Sequence, residues 1–130
     1  MSSPSTAAPP SPQRLLEAAD RMLSSPPHQT DDEWVSGRWS HDCAELIRQA
    51  LVVSLDGYWR RVAPLAASCS VRAQLLLLPQ FADVGTVLLA NESWTGLTRA
   101  MEQQSRELDP AVTELRNWHS DVTAVMIALA

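Results

Sequence analysis

An all-α bundle of four to five helices is the fold this sequence predicts, and three observations predict it. Apolar residues recur at steps of three and four along most of the chain, and prolines mark the breaks between these runs. No alternating apolar and polar run is bounded by turn residues on both sides, and the one Asp-Gly pair, Asp56-Gly57, lies inside helical spacing between Leu55 and Tyr58. The 130 residues make one domain's length, and 45% hydrophobic with 19% charged residues excludes wholesale disorder. The longest apolar runs, Ala50 to Val53 and Leu75 to Leu78, are far below the roughly 18 residues of a membrane span.

Taken in order, Met1 to Ser11 is rich in Pro, Ser and Ala and has little apolar surface to offset ordering, so residues 1–11 read as a disordered tail. Residues 12–130 read as a single helical-bundle domain. Ser11 as cap and Pro12 in the first turn begin a helix whose stripe is Leu15, Leu16, Ala19, Met22 and Leu23. Ser24 to Pro27 ends it. Thr30 or Asp31 can cap a second, long helix over about residues 31 to 62, where Asp31, Asp32 and Glu33 suit the positive N-terminal end. Gly37 and Gly57 weaken it by about 1 kcal/mol each against alanine, so a break near either is expected to be tolerated. Pro64 stops it. A short helix follows from Ser70 to Leu78, ended by Pro79. The next, from Ala82 to Gln104, has Val84, Val87, Leu88, Trp94, Leu97 and Met101 as its apolar stripe. Asp109 as cap and Pro110 at the first position open the last helix, carried by Val112, Leu115, Trp118, Val122, Val125, Met126 and Leu129.

The chemistry-bearing residues are sparse. The formal net charge is −5, and all ten basic residues are scattered arginines. That argues against a general nucleic-acid coat and leaves RNA to a local groove. His28, His41 and His119 lie far apart in sequence, with no Glu-x-x-His pair of the kind bundle metal sites use, so no metal site is expected. There is no Gly-x-Ser-x-Gly elbow and no glycine-rich phosphate loop, and no cofactor is implied. Cys43 and Cys69 sit beside alanine in helical segments and read as buried, reduced thiols in a cytoplasmic protein. Five tryptophans are expected mainly as core anchors. Trp34 and Trp39, which precede the cleanest periodicity, are candidates for an interface.

Several short segments carry a resemblance. They are Trp59-Arg60-Arg61-Val62-Ala63-Pro64, Arg72-Ala73-Gln74-Leu75-Leu76 and Trp94-Thr95-Gly96-Leu97-Thr98-Arg99-Ala100, followed by Glu107-Leu108-Asp109-Pro110 and Glu114-Leu115-Arg116-Asn117-Trp118. Together, over roughly half the chain, they resemble small actinobacterial helical proteins of the HEPN-like type. The resemblance implies a four- or five-helix bundle that dimerises. It also implies RNA cleavage by an arginine followed, after four to six residues, by a histidine. Arg99 stands at the arginine position, but Gln104, Ser105 and Arg106 occupy the places for the histidine. Glutamine cannot exchange a proton near neutral pH, so the catalytic partner is missing. Arg21 and His28 have a formally suitable spacing, although Pro26-Pro27 separates them across a helix end.

The sequence therefore reads as a non-catalytic, degenerate HEPN-like interaction module. It is expected to form a homodimer and to bind a protein partner through a face around Trp94, Leu97 and Met101, with Arg99 and Gln104 at its rim. The alternatives are a metal-independent ribonuclease of toxin class, using Arg99 or Arg21 with His28, and a small-molecule-sensing bundle.

Overall fold

A computed structural model describes residues 10–27, 33–102 and 110–130, with the side chains of residues 33–36 not among them. The described residues form five α-helices and two 3-10 turns, and no strand. The helices are α1 (Pro12–Ser24), α2 (Glu33–Val62), α3 (Val71–Leu77), α4 (Val84–Glu102) and α5 (Val112–Leu129). The all-α bundle expected from the sequence is the observed architecture. Residues 1–9 of the expected tail, the caps Thr30, Asp31 and Asp109, and Gln104, Ser105 and Arg106 lie outside the described residues.

Helix α1 starts as its sequence dictates. The Ser11 hydroxyl accepts the Arg14 N–H at 3.2 Å, and Pro12 occupies the first position, where its missing N–H costs nothing. Leu15, Leu16, Ala19 and Leu23 are buried. Burial of a leucine side chain contributes about 1.5–3 kcal/mol, more than propensity supplies to a helix this short. The inward side of α2 is a repeat of three and four: Ser40, Cys43, Ala44, Ile47, Ala50, Leu51, Ser54, Leu55 and Trp59. Its small members let α1, α4 and α5 all pack on it, so α2 is the axis of the core. No break occurs at Gly37 or Gly57, and the helix runs unbroken for 30 residues. The missing Cβ at Gly57 leaves only open space, so tertiary packing easily overrides that residue's low helix propensity.

Pro64 does more than stop α2. It opens a 3-10 turn, Pro64–Ser68, which the apolar periodicity does not mark. Ser70 then caps α3, its hydroxyl accepting the Ala73 N–H at 3.2 Å. The buried Gln74 amide ties the turn to α3 by donating to the carbonyls of Ala66 and Cys69, each at 3.1 Å. A second 3-10 turn, Leu78–Gln80, replaces the last part of the expected short helix because Pro79 has no N–H with which to continue it.

Asp83 precedes α4 and caps it. Its carboxylate accepts the Thr86 N–H at 3.1 Å and the Thr86 hydroxyl at 2.7 Å, and these bonds hold its pKa below the usual carboxylate range. The α4 stripe differs from the expected one. Thr86, Ala90, Ser93 and Leu97 face inward, while Val84 is 75% and Leu88 55% exposed. Close approach selects the small side: Trp118 of α5 lies against Gly96, where a Cβ would fall 2.8 Å from the indole Nε1.

Pro110 is not the first residue of α5. The helix begins at Val112 with Ala111 as its cap, and the Glu114 carboxylate accepts the Ala111 N–H at 3.3 Å. Side chains of α5 fasten it to α1, since Arg116 Nη2 donates to the Leu23 carbonyl at 2.9 Å and His119 Nε2 to the Leu16 carbonyl at 2.9 Å. The last carbonyls of α5 lack intrahelical partners, and Arg61 of α2 donates to that of Leu129.

One electrostatic conflict joins α4 to α5. Burial raises the pKa of Asp121, and Glu92 of α4 raises it further. The folded state therefore favours protonated Asp121. That contribution is fully present below the unfolded carboxyl pKa and is lost as pH rises through the raised folded value. At pH 7 the ionised carboxylate opposes folding, so Asp121→Asn is expected to raise Tm at pH 7. The gain should shrink as the pH falls through the carboxyl range. Thermal melts of both proteins from pH 3 to pH 8 check this, and a gain that grows on acidification contradicts it.

Candidate functional site

Among the described residues a cleft of about 440 Å³ lies between α3 and α4. Because α3 buries Gln74 and Leu75 on one side, Arg72 and Leu76, four residues apart, emerge together on the other. Leu76 is 75% exposed. The opposing wall is α4, which presents Asn91, Trp94, Thr98 and Arg99 at helical spacing. Trp94 is half-buried, and the Arg48 guanidinium of α2 stacks on its ring at 4.6 Å. This contact fixes the indole as a rigid wall. The Nε of Arg48 is buried and makes no hydrogen bond among the described residues.

Arg72 and Arg99 line the same cleft, and neither forms an ion pair among the described residues. Glu102, at one end of α4, is the carboxylate that borders it. The Asn91 amide donates to the Val87 carbonyl at 2.9 Å, which leaves its oxygen to accept from an occupant. The cleft thus combines two cations, an aromatic wall and an exposed leucine.

No known protein family, curated protein or solved structure matches this chain. Its chemistry has to be read from geometry.

The residues picked out from the sequence are dispersed. Arg99 is exposed in the cleft and Trp94 forms its wall. Leu97 is fully buried and belongs to the core, while Met101 and Trp39 are half-buried against that core. Arg21 is exposed in the last turn of α1. His28 and the Trp34 side chain lie outside the described residues. Trp59 is fully buried as a core anchor. Cys43 is buried as expected, and its thiol is pushed up to about 11 by burial, which keeps it protonated and unreactive at neutral pH. Cys69 is not buried. It stands exposed just before α3, because the buried polar anchor of that turn is Gln74 rather than the thiol.

A second cleft, of about 340 Å³, lies between α1 and α5 and is bordered by Glu17, Asp20, His119 and Thr123. Its histidine Nε2 is already committed to the Leu16 carbonyl, and the Thr123 hydroxyl donates to the His119 carbonyl at 2.6 Å. Among the described residues, no three His, Cys, Asp or Glu side chains gather into a metal-binding group. No helix of the described residues is long and apolar enough to cross a membrane.

Sequence reasoning missed Arg72, Leu76, Val84 and Leu88. A signal for Leu76 existed, since four consecutive leucines, 75 to 78, spread over every side of a helix and cannot all point inward. For Val84 and Leu88 the signal was misleading, because they scored as core by hydrophobicity alone.

Proposed function

We propose that this chain is a non-catalytic helical interaction module. It docks protein, a second copy of itself included, on the face formed by α3 and the outer side of α4. The observation that carries this reading is the exposure of Leu76, Val84 and Leu88 beside the α3–α4 cleft. Val84 and Leu88 are four residues apart, and Leu88 is one turn from Asn91 in the cleft wall, so the apolar strip runs into the cleft. Exposed apolar side chains grouped beside a cleft are the kind of surface that interfaces use.

The helical bundle and the exposed Arg99 are compatible with a degenerate HEPN-like protein, in which the dimer has lost its catalytic histidine. No described histidine lines the cleft that holds Arg99. The exposed free thiol of Cys69 fits a cytoplasmic setting, where thiols stay reduced.

Sedimentation velocity over a hundred-fold concentration range tests self-association. A species heavier than the 14.3 kDa monomer is expected to grow with concentration and to vanish in Leu76→Arg/Leu88→Arg. Both side chains are exposed, so the double variant should keep its Tm. A single 14.3 kDa species throughout removes the homodimer from the reading. Incubation with a mixed RNA pool tests the rest, and cleavage lost on Arg99→Ala would overturn the non-catalytic assignment.

A further inference from the structure

The interaction-module reading leaves the chemistry of the partner open, and the cleft itself narrows it. We infer that the α3–α4 cleft takes an acidic amphipathic α-helix from a partner protein. The inference rests on the proposed docking face and adds charge, secondary structure and length.

Charge comes first. The chain is acidic overall, with a formal net charge of −5, yet Arg72 and Arg99 converge on one cleft with no ion pair among the described residues. Complementary potential at an interface steers and orients a partner, so carboxylates are the groups that fit opposite them. Glu102 closes one end and disfavours a carboxylate there, which gives the occupant a direction. Two cations on an acidic protein are too few for a nucleic-acid site, whose affinity comes from many phosphate contacts.

Secondary structure follows from the walls. Both are α-helices, and along α4, the longer wall, the mid-helix N–H and C=O groups are already bonded within the helix. An extended peptide would find no ladder of backbone partners along it. An occupant that meets the walls through side chains alone must satisfy its own backbone, which is what a helix does. Leucine-sized side chains at a spacing of three and four would pack on Leu76 and Leu88, and carboxylates on the flank would meet the two guanidiniums.

Length is set by α4. From Leu88 to Glu102 the wall rises about 21 Å, the length of an α-helix of about 14 residues. The wall is already ordered by the Arg48 stack on Trp94, so little need be immobilised when the occupant arrives.

A displayed library of helical peptides of about 14 residues, with one face randomised over Leu, Glu, Gln and Lys, tests the inference on the full chain. Peptides with leucines four residues apart and glutamate enriched several-fold over lysine are expected to be selected. Their affinity should weaken more than tenfold in Arg72→Glu/Arg99→Glu and should fall as salt is raised. Both arginines are exposed, and an unchanged Tm confirms that the variant is folded. Neutral or basic winners, or acidic winners indifferent to the charge reversal, overturn the acidic partner. If such winners are lost on Leu76→Arg, the docking face stands and only this inference falls. If no peptide is enriched, or if winners ignore Leu76→Arg as well, this inference falls, and sedimentation of Leu76→Arg/Leu88→Arg decides the docking face. Displacement of the winners by oligouridine would identify RNA as the occupant and overturn the inference, whereas winners that dissolve a homodimer support it, because helix and second copy then compete for the one docking face.

Discussion

Trp59→Ala is expected to cost about 3–5 kcal/mol of folding stability, the range for deleting a fully buried tryptophan. A domain of this size has about 5–15 kcal/mol in total, so this single change removes a large share of it. The side chain has no exposed surface and sits where α2 meets the second 3-10 turn. Its ring lies edge-on to Phe81, with centroids 5.1 Å apart, and edge-on to Tyr58 at 5.3 Å. Losing it leaves a cavity at the joint between α2 and the segment that leads into α4. Trp59→Phe should cost clearly less than alanine. It keeps an aromatic ring and removes a buried indole N–H that has no hydrogen-bond partner among the described residues. Urea denaturation measures both changes. A loss below about 1 kcal/mol for alanine would place the indole outside the core.

Gly96→Ala should also destabilise, by about 1–3 kcal/mol, although alanine is the better helix former. The propensity gain is about 1 kcal/mol, and the steric cost opposes it. The new methyl would lie 2.8 Å from Trp118 Nε1 and 2.9 Å from Cζ2. The indole is a rigid plane packed against the core, so relief requires α4 and α5 to separate. The cause can be isolated by a double-mutant cycle. In a Trp118→Ala background the same glycine change should become neutral or stabilising, because the ring it collides with is gone. Stabilisation by Gly96→Ala in the otherwise unchanged protein would show that α5 does not approach α4 so closely.

Helix existence, order and several ends were legible because their causes are local. Ser11 with Pro12, Ser70, Pro64 and Pro79 each act within one turn of their own position. Most of the α1 and α5 stripes was legible for a related reason: Leu15, Leu16, Ala19 and Leu23, and Leu115, Val122, Val125 and Leu129, share one side of their helix at helical spacing and turn inward together. The start of α5 was less so. Pro110 suits a first helical position, yet Glu114 bonds the Ala111 N–H and the helix begins two residues later, at Val112. The fasteners between helices were not legible at all. Arg61 and Arg116 cap carbonyls 68 and 93 residues away, and nothing local marks them as anything but surface charge.

The candidate site was legible only in fragments. Arg99 and Trp94 were singled out from the chain, and both line the cleft, but Arg72 and Leu76 of its other wall were not. The reason lies in α4, which is apolar on two sides. Val84 and Leu88 carry more hydrophobic surface than Thr86, Ala90 and Ser93, so transfer energy alone would turn them inward. Packing distance decides otherwise. Helix α4 must lie close to both α2 and α5, and only its side of small residues, with Gly96 nearby against Trp118, permits that approach. Periodicity in the chain specified that there would be helices and where most would stop. Which side of α4 faced the core depended on the shapes of neighbours distant in sequence, and that choice left Val84 and Leu88 outside, beside the arginines of the cleft.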